Sequence, residues 1–145
     1  MMTRFSLLFL SFFITLTAAP TPPSFEELVK KSDFIAKTKL VNLKEKQLNK
    51  NLIAINTTAE ILKQYKANPP LPNKIDLAFT VLPEVYGKWL KAPPKEGEYV
   101  IFYINKEVKD GKGKTSKIIT LYEPHVFAFR EWTEELEKRL LEATK

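Results

Sequence analysis

The sequence predicts a mostly β fold: a five-stranded antiparallel sheet curled into a small closed barrel, with a short helix before it and a longer helix after it. Three observations carry that prediction. Apolar side chains recur at every second position in most of the stretches between Phe34 and Glu123, the period of a strand with one buried face. Prolines, glycines and polar runs punctuate those stretches, as turns do. The chain has no cysteine, so nothing but its own core can hold it, and an open sheet of that size would leave apolar edges and one bare face.

The elements follow in order. Ser24 with Glu27 three residues later is a capping box that starts a short helix. Phe25, Leu28 and Val29 give that helix an apolar side, and Lys30 and Lys31 sit at its C-terminal end, where positive charge suits the dipole. Ser32-Asp33 ends it, because both side chains compete for backbone hydrogen bonds. From Phe34 the period becomes two: Phe34, Ala36, Thr38 and Leu40 alternate with Ile35, Lys37, Lys39 and Val41 in strand one. Lys44 to Asn51 reads as a polar loop. Leu52 to Tyr65 is dense in β-branched residues, with Ile53, Ile55, Thr57, Ala59 and Ile61 on one face of strand two,; Ala59 to Lys66 taken alone also suits a helix. The stretch ANPPLPN, residues 67–73, is a proline-stiffened connection, and Lys74 to Leu82 is strand three.

Residues 83–97 hold three of the ten prolines and two of the four glycines, which marks a loop with one helical turn around Val85 to Leu90. The run EYVIFYINKE, residues 98–107, is apolar on both faces and belongs at the centre of the sheet. Asp110-Gly111 signals a hairpin turn, Ser116 to Glu123 returns as strand five, and HVFAF after Pro124 is a short apolar segment. Glu131 to Lys145 forms the terminal helix, with Leu136, Leu140, Leu141 and Ala143 inward and the pairs Glu134–Lys138 and Glu135–Arg139 outward,. The expected topology is a meander.

The N-terminus has a separate logic. A single charge, Arg4, precedes the apolar run Phe5 to Leu16 and the small residues Thr17, Ala18 and Ala19, the three parts of a secretory signal peptide over residues 1–19. About a dozen apolar residues interrupted by Ser6, Ser11 and Thr15 fall short of the roughly 20 that span a bilayer. The cut falls at Ala19 or a residue or two earlier, because Pro20 is a poor neighbour for the peptidase. Pro20, Pro22 and Pro23 make a stiff leader over 20–23, and residues 24–145 form one domain. No later segment is apolar enough to span. An exported chain without cysteine fits a bacterial periplasm or surface better than an oxidising animal secretion route. Removing the signal leaves 22 basic residues against 17 acidic, a net charge of +5, which permits contact with anionic surfaces.

The stretches SFEELVKKSDFIAKTKLV at 24–41, TAEILKQYK at 58–66 and GEYVIFYI at 97–104 resemble a set of small exported bacterial proteins. In that set an S-x-E-E-L-V-x-x-S/A-D helix leads into the first strand of an OB-type barrel similar to the netrin modules and the tissue inhibitors of metalloproteinases. The resemblance spans residues 24–122 and implies a barrel that contacts other macromolecules through loops at one end. It stops short of the inhibitors' mechanism, which uses an N-terminal cysteine on the enzyme's zinc where this chain places a helix.

Chemistry is sparse. Beyond the signal there are one His, three Ser and three Asp, so a nucleophilic site has to combine His125 with Ser24, Ser32 or Ser116, and a lone titratable residue lacks the convergent roles a site needs. One His leaves zinc without ligands, and no calcium-loop spacing occurs; no metal and no cofactor is expected. Glu131, Glu134 and Glu135 are ordinary first-turn acids rather than a glycosidase pair. Tyr99, Phe102, Tyr103 and Tyr122, with Lys37, Lys106 and Lys117 near, alternate on central strands as barrel core rather than as a base-stacking platform, so nucleic acid is not an expected partner. The loop YGKWLKAPPK, residues 86–95, has the composition of a contact surface: Tyr86, Lys88, Trp89 and Lys91 between prolines, where stiff backbone limits the entropy lost on contact. Against that stands the reading in which Trp89 and Leu90 fold inward and plug the barrel end. Lys109, Lys112 and Lys114 at the hairpin tip read as solvated. The expectation is an exported, non-enzymatic binding module for a protein or an anionic surface polymer. A small envelope hydrolase or transferase using His125, and a structural accessory subunit of an envelope complex, are the alternatives.

Overall fold

A computed structural model describes residues 21–86, 90 and 92–145, the side chains of Val85 and Tyr86 apart. The expected signal peptide lies outside the described residues. The elements are α1 (Phe25–Lys31), β1 (Phe34–Gln47), β2 (Ile53–Lys66), β3 (Lys74–Val81), α2 (Pro83–Tyr86), β4 (Gly97–Lys109), β5 (Thr115–Leu121), a 3₁₀ turn (His125–Phe127), β6 (Phe129–Glu131) and α3 (Glu134–Ala143). The fold is mostly β, a six-stranded antiparallel sheet with α1 and α3 as its flanking helices.

The N-cap half of the expected capping box is present: Ser24 Oγ accepts from the Glu27 N–H at 3.1 Å. At the other end of α1, Lys66 Nζ reaches from the last residue of β2 to donate to the Val29 and Ser32 carbonyls at 2.9 and 2.6 Å. These helix-end carbonyls have no partner within the helix, so one ammonium group both caps α1 and ties it to the sheet.

The strand order is β3-β2-β1-β4-β5, with β6 also paired to β4. This is not the expected meander, because β4 crosses over to join β1 instead of β3. Three register shifts interrupt the β1–β2 ladder. At one of them Asn42 adopts φ 52°, the left-handed region that Asn tolerates better than most residues, and Thr57 Oγ1 donates to the Val41 carbonyl at 2.8 Å. Such bulges sharpen local twist, and the sheet coils.

β5 and β6 lie along the same edge of β4: β5 opposes Tyr103 to Lys109, and β6 opposes Tyr99 to Ile101. Between them Phe102 takes both chain ends, its carbonyl accepting from Tyr122 N–H and its own N–H donating to the Ala128 carbonyl, each at 2.9 Å. The two strands are therefore one strand interrupted by the excursion 123–127.

The expected closure does not occur. No ladder joins β3 to β5 or β6, and the seam is bridged by side chains: the Phe79 ring lies 5.3 Å from Phe129 and 6.3 Å from His125. A ladder needs several consecutive backbone groups in register. The excursion breaks that run on the β5–β6 side and leaves β6 three residues long.

One face of β1 (Phe34, Ala36, Thr38 and Leu40, all buried) lines the inside of the coil with Tyr103, Ile101, Phe79 and Phe129. The other face, with Ile35 and Lys37, carries α1 and α3. Several expected boundaries move. β1 continues through Gln47 into the supposed polar loop, and β2 is strand throughout, so the helical option for 59–66 falls. α3 begins at Glu134, which leaves Glu131 in β6, and Leu141 at 45% exposure faces solvent while Leu136 and Leu140 are buried. Arg139 stands over the Phe25 ring at 4.1 Å, packing α3 against α1.

Candidate binding surface at one end of the sheet

β1 and β3 both run antiparallel to β2, and Ile53 opposes Gln47 on one side and Val81 on the other. The chain therefore leaves β1 and β3 at the same end, about 10 Å apart by two strand spacings. Each exit exposes a leucine: Leu48 is 49% exposed and Leu82 46%. The tip that carries Leu48 is ordered by its own hydrogen bonds. Leu48 N–H donates to the Leu52 carbonyl at 2.9 Å, Asn51 N–H donates to Asn49 Oδ1 at 2.9 Å, and the Gln47 side-chain amide donates to the Asn49 carbonyl. Lys44, Lys46 and Lys50 surround it, all exposed.

The connection from β3 to β4 starts at this rim. Its first turn is α2, and Leu90 then turns into the core at 6% exposure. Its return is fastened by Lys95 N–H donating to the Tyr99 hydroxyl and by Leu43 N–H donating to Glu96 Oε1, both at 3.1 Å. Of the four residues that the sequence marks for contact, Tyr86 is placed as the last residue of α2, and Lys88, Trp89 and Lys91 lie outside the described residues. Of the two residues that the alternative reading folds inward, Leu90 is buried among the core residues.

His125 sits on the excursion 123–127. Its Nε2 is 3.9 Å from Glu123 Oε1, beyond a hydrogen bond. Burial against the seam lowers its pKa below the usual histidine value, with Glu123 opposing. The carboxylate of Glu123 is held below its usual pKa by the Lys106 ammonium, which donates to it at 2.7 Å. The serines lie elsewhere: Ser24 and Ser32 cap the two ends of α1, and Ser116 opposes Val108 on the β4–β5 ribbon. Among the described residues none of them hydrogen-bonds His125, and no group of three or more His, Asp and Glu stands together as metal donors. Phe102 and Tyr103 are fully buried, Tyr122 nearly so, and Tyr99 is half-buried, which is the core role.

A second polar cluster lies under α3. Tyr65, the extra residue at a bulge of β2, donates to Glu137 Oε1 at 2.7 Å, and Lys63 Nζ meets the same oxygen at 3.0 Å. Burial, then Glu137, pushes the Tyr65 phenol far above its usual pKa; the Tyr65 and Lys63 hydrogen bonds hold Glu137 below its own. Lys37 lies 4.1 Å over the Trp132 ring. The cluster fastens the helix. Beside it an open groove of about 880 Å³ runs between Phe25 and Val29 of α1, Tyr65 and Lys66, and the end of α3, with the Lys66 ammonium already spent on α1.

Sequence reasoning passed over Leu48 and Leu82. Leu48 is the only apolar residue of the run Lys44 to Asn51, which was its available signal; Leu82 looked like the end of a strand. Comparison with family models, with curated proteins and with solved structures gives no match, so any functional reading rests on the geometry alone.

Proposed function

We propose that this chain is an exported, non-enzymatic binding module of OB-like form, which contacts a protein or an anionic polymer through the loops at the rim that carries Leu48 and Leu82. OB-folds are five-stranded, partly open Greek-key barrels, and a strand order that sets β4 beside β1, with β3 and β5 at the edges, agrees with that description. The observation that carries the functional reading is the pair of leucines held in water at one end of the sheet, while Leu90 of the connection that starts there is buried. Exposed apolar groups gathered at one place mark contact surfaces more often than single ones do.

The reading that places a hydrolase or transferase site at His125 has a half-buried imidazole and an ionised neighbour in its favour, but no nucleophile within its hydrogen bonds. The test uses residues 20–145, which contain every core residue among the described residues, as bait in an envelope extract. Leu48→Ser with Leu82→Ser is expected to abolish capture while the melting temperature stays within a few degrees. Capture unchanged by that pair would remove the rim as the contact site. His125→Ala leaves capture intact under this proposal.

A further inference from the structure

Resting on that reading of the rim, the geometry points to an anionic phospholipid surface as its partner, with Leu48 and Leu82 entering the interface and Lys44, Lys46 and Lys50 contacting headgroups. Three features favour a bilayer over a protein. The exposed leucines stand where two strands run out of the sheet, one on a hairpin tip and one at a strand exit, and neither lines the grooves beside α1 or β2. Lysine is depleted from the contact surfaces of protein complexes, yet here it flanks the apolar tip on both sides, with Lys46 before Leu48 and Lys50 after it. Apolar residues flanked by lysine are the composition of interfacial membrane contacts, where greasy groups enter the acyl boundary and ammonium groups meet phosphate. A polyanionic polysaccharide would make use of the lysines and gain nothing from the leucines.

The tip is also prepared for such a contact. Its turn is closed by the Leu48–Leu52 and Asn49–Asn51 hydrogen bonds, so little order remains to be imposed on binding. Among the described residues Lys44, Lys46 and Lys50 form no ion pair, in contrast to Lys63 and Lys106.

The opposite end of the molecule supplies an internal control. The β4–β5 turn carries Lys109, Lys112 and Lys114, equally exposed, and the exposed apolar residue of that ribbon, Ile118, stands three ladder pairs back from the turn and not on it; Asp110 there is occupied by the Lys112 and Lys114 N–H groups at 2.8 and 2.9 Å. Co-sedimentation of residues 20–145 with vesicles of phosphatidylcholine, or of phosphatidylcholine with about one third phosphatidylglycerol, reads the partition directly. Binding is expected on the anionic vesicles alone. Lys44→Gln with Lys46→Gln and Lys50→Gln should weaken it more than tenfold, since each lysine near an anionic surface contributes about fivefold. Leu48→Ser with Leu82→Ser should weaken it at least tenfold even at low salt. Lys109→Gln with Lys112→Gln and Lys114→Gln should change it by less than threefold. Equal losses from the two lysine triplets would mean diffuse attraction and overturn the proposal, as would anionic binding indifferent to the leucines or no binding at all. If vesicles fail while the leucine pair still abolishes capture from envelope extract, the rim binds a protein and only the lipid assignment falls; if neither assay responds, both readings fall. Circular dichroism of each variant separates loss of contact from loss of fold.

Discussion

Thr38 and Tyr103 are buried polar residues that meet inside the coil: their oxygens lie 2.9 Å apart, and Thr38 Oγ1 also reaches the Ala36 carbonyl at 3.2 Å. Every donor is satisfied if the phenol donates to Thr38 and Thr38 donates to Ala36. The two deletions are therefore unequal. Tyr103→Phe leaves Thr38 its bond to Ala36 and should cost about 1 kcal/mol, whereas Thr38→Val strands a phenolic O–H in the core and should cost about 2 to 3 kcal/mol. Urea unfolding of the two variants ranks them, and the reverse order would show that the phenol finds another partner. Glu137 gives the pH counterpart. Its folded pKa lies below the ordinary 4.5 because Tyr65 and Lys63 bind the ionised form. A depressed carboxylate stabilises the fold above its unfolded pKa, and that stability is lost as pH falls through the folded value. The denaturation midpoint of the wild-type chain should exceed that of Glu137→Gln from neutral pH to about 5, and the gap should shrink as pH falls below 4.5; a constant gap down to pH 3 would mean that the charge is irrelevant. Neither pairing was legible in the sequence. Thr38 sits 65 residues from Tyr103 and Tyr65 sits 72 from Glu137, and such long-range partners leave no local period to read.

The helices and strands were easier to read where one face is buried and the other is wet. Ser24 and Glu27 announced α1, and the alternation of Phe34 to Leu40 announced β1, because a cap and a pleat each impose a fixed spacing. The second half of β1, Asn42 to Gln47, left no such mark: β4 begins opposite Leu40, so this half has a partner on one side only, and past the partly buried Leu43 a strand wet on both faces and at one edge is spelled with the residues of a loop. In α3 the spacing misled in detail. Leu136 and Leu140 are four apart and share a face, but Leu141 lies a further 100° around and points to water. Leu140→Ala is accordingly expected to cost about 2 to 5 kcal/mol, and Leu141→Ala within about 0.5 kcal/mol of nothing. Thermal melts decide this, and comparable losses would put α3 in a different rotation on the sheet.

At the scale of the molecule the open seam is the departure that matters. Burial without disulfides argued for closure, and closure in the backbone sense is what an alternating pattern cannot specify, since it encodes which face is buried and not whether the last strand finds the first. Here Phe79, Phe129 and His125 fill the gap that a ladder would occupy, so β3 is hydrogen-bonded along one edge only. Side-chain packing across a seam is easier to part than a ladder, and β3 should open without the rest, as weakly secured units do. Native-state hydrogen exchange tests this with two substitutions. Leu140 keeps its contacts when β3 opens, so Leu140→Ala should lower the exchange free energy of β1, which reports global unfolding, and leave that of β3 where it was. Phe79 loses its contacts in either event, so Phe79→Ala should lower both by a similar amount, about 3 to 5 kcal/mol. If Leu140→Ala lowers β1 and β3 together, the sheet opens as one unit, and the aromatic seam fastens its edges as firmly as hydrogen bonds would.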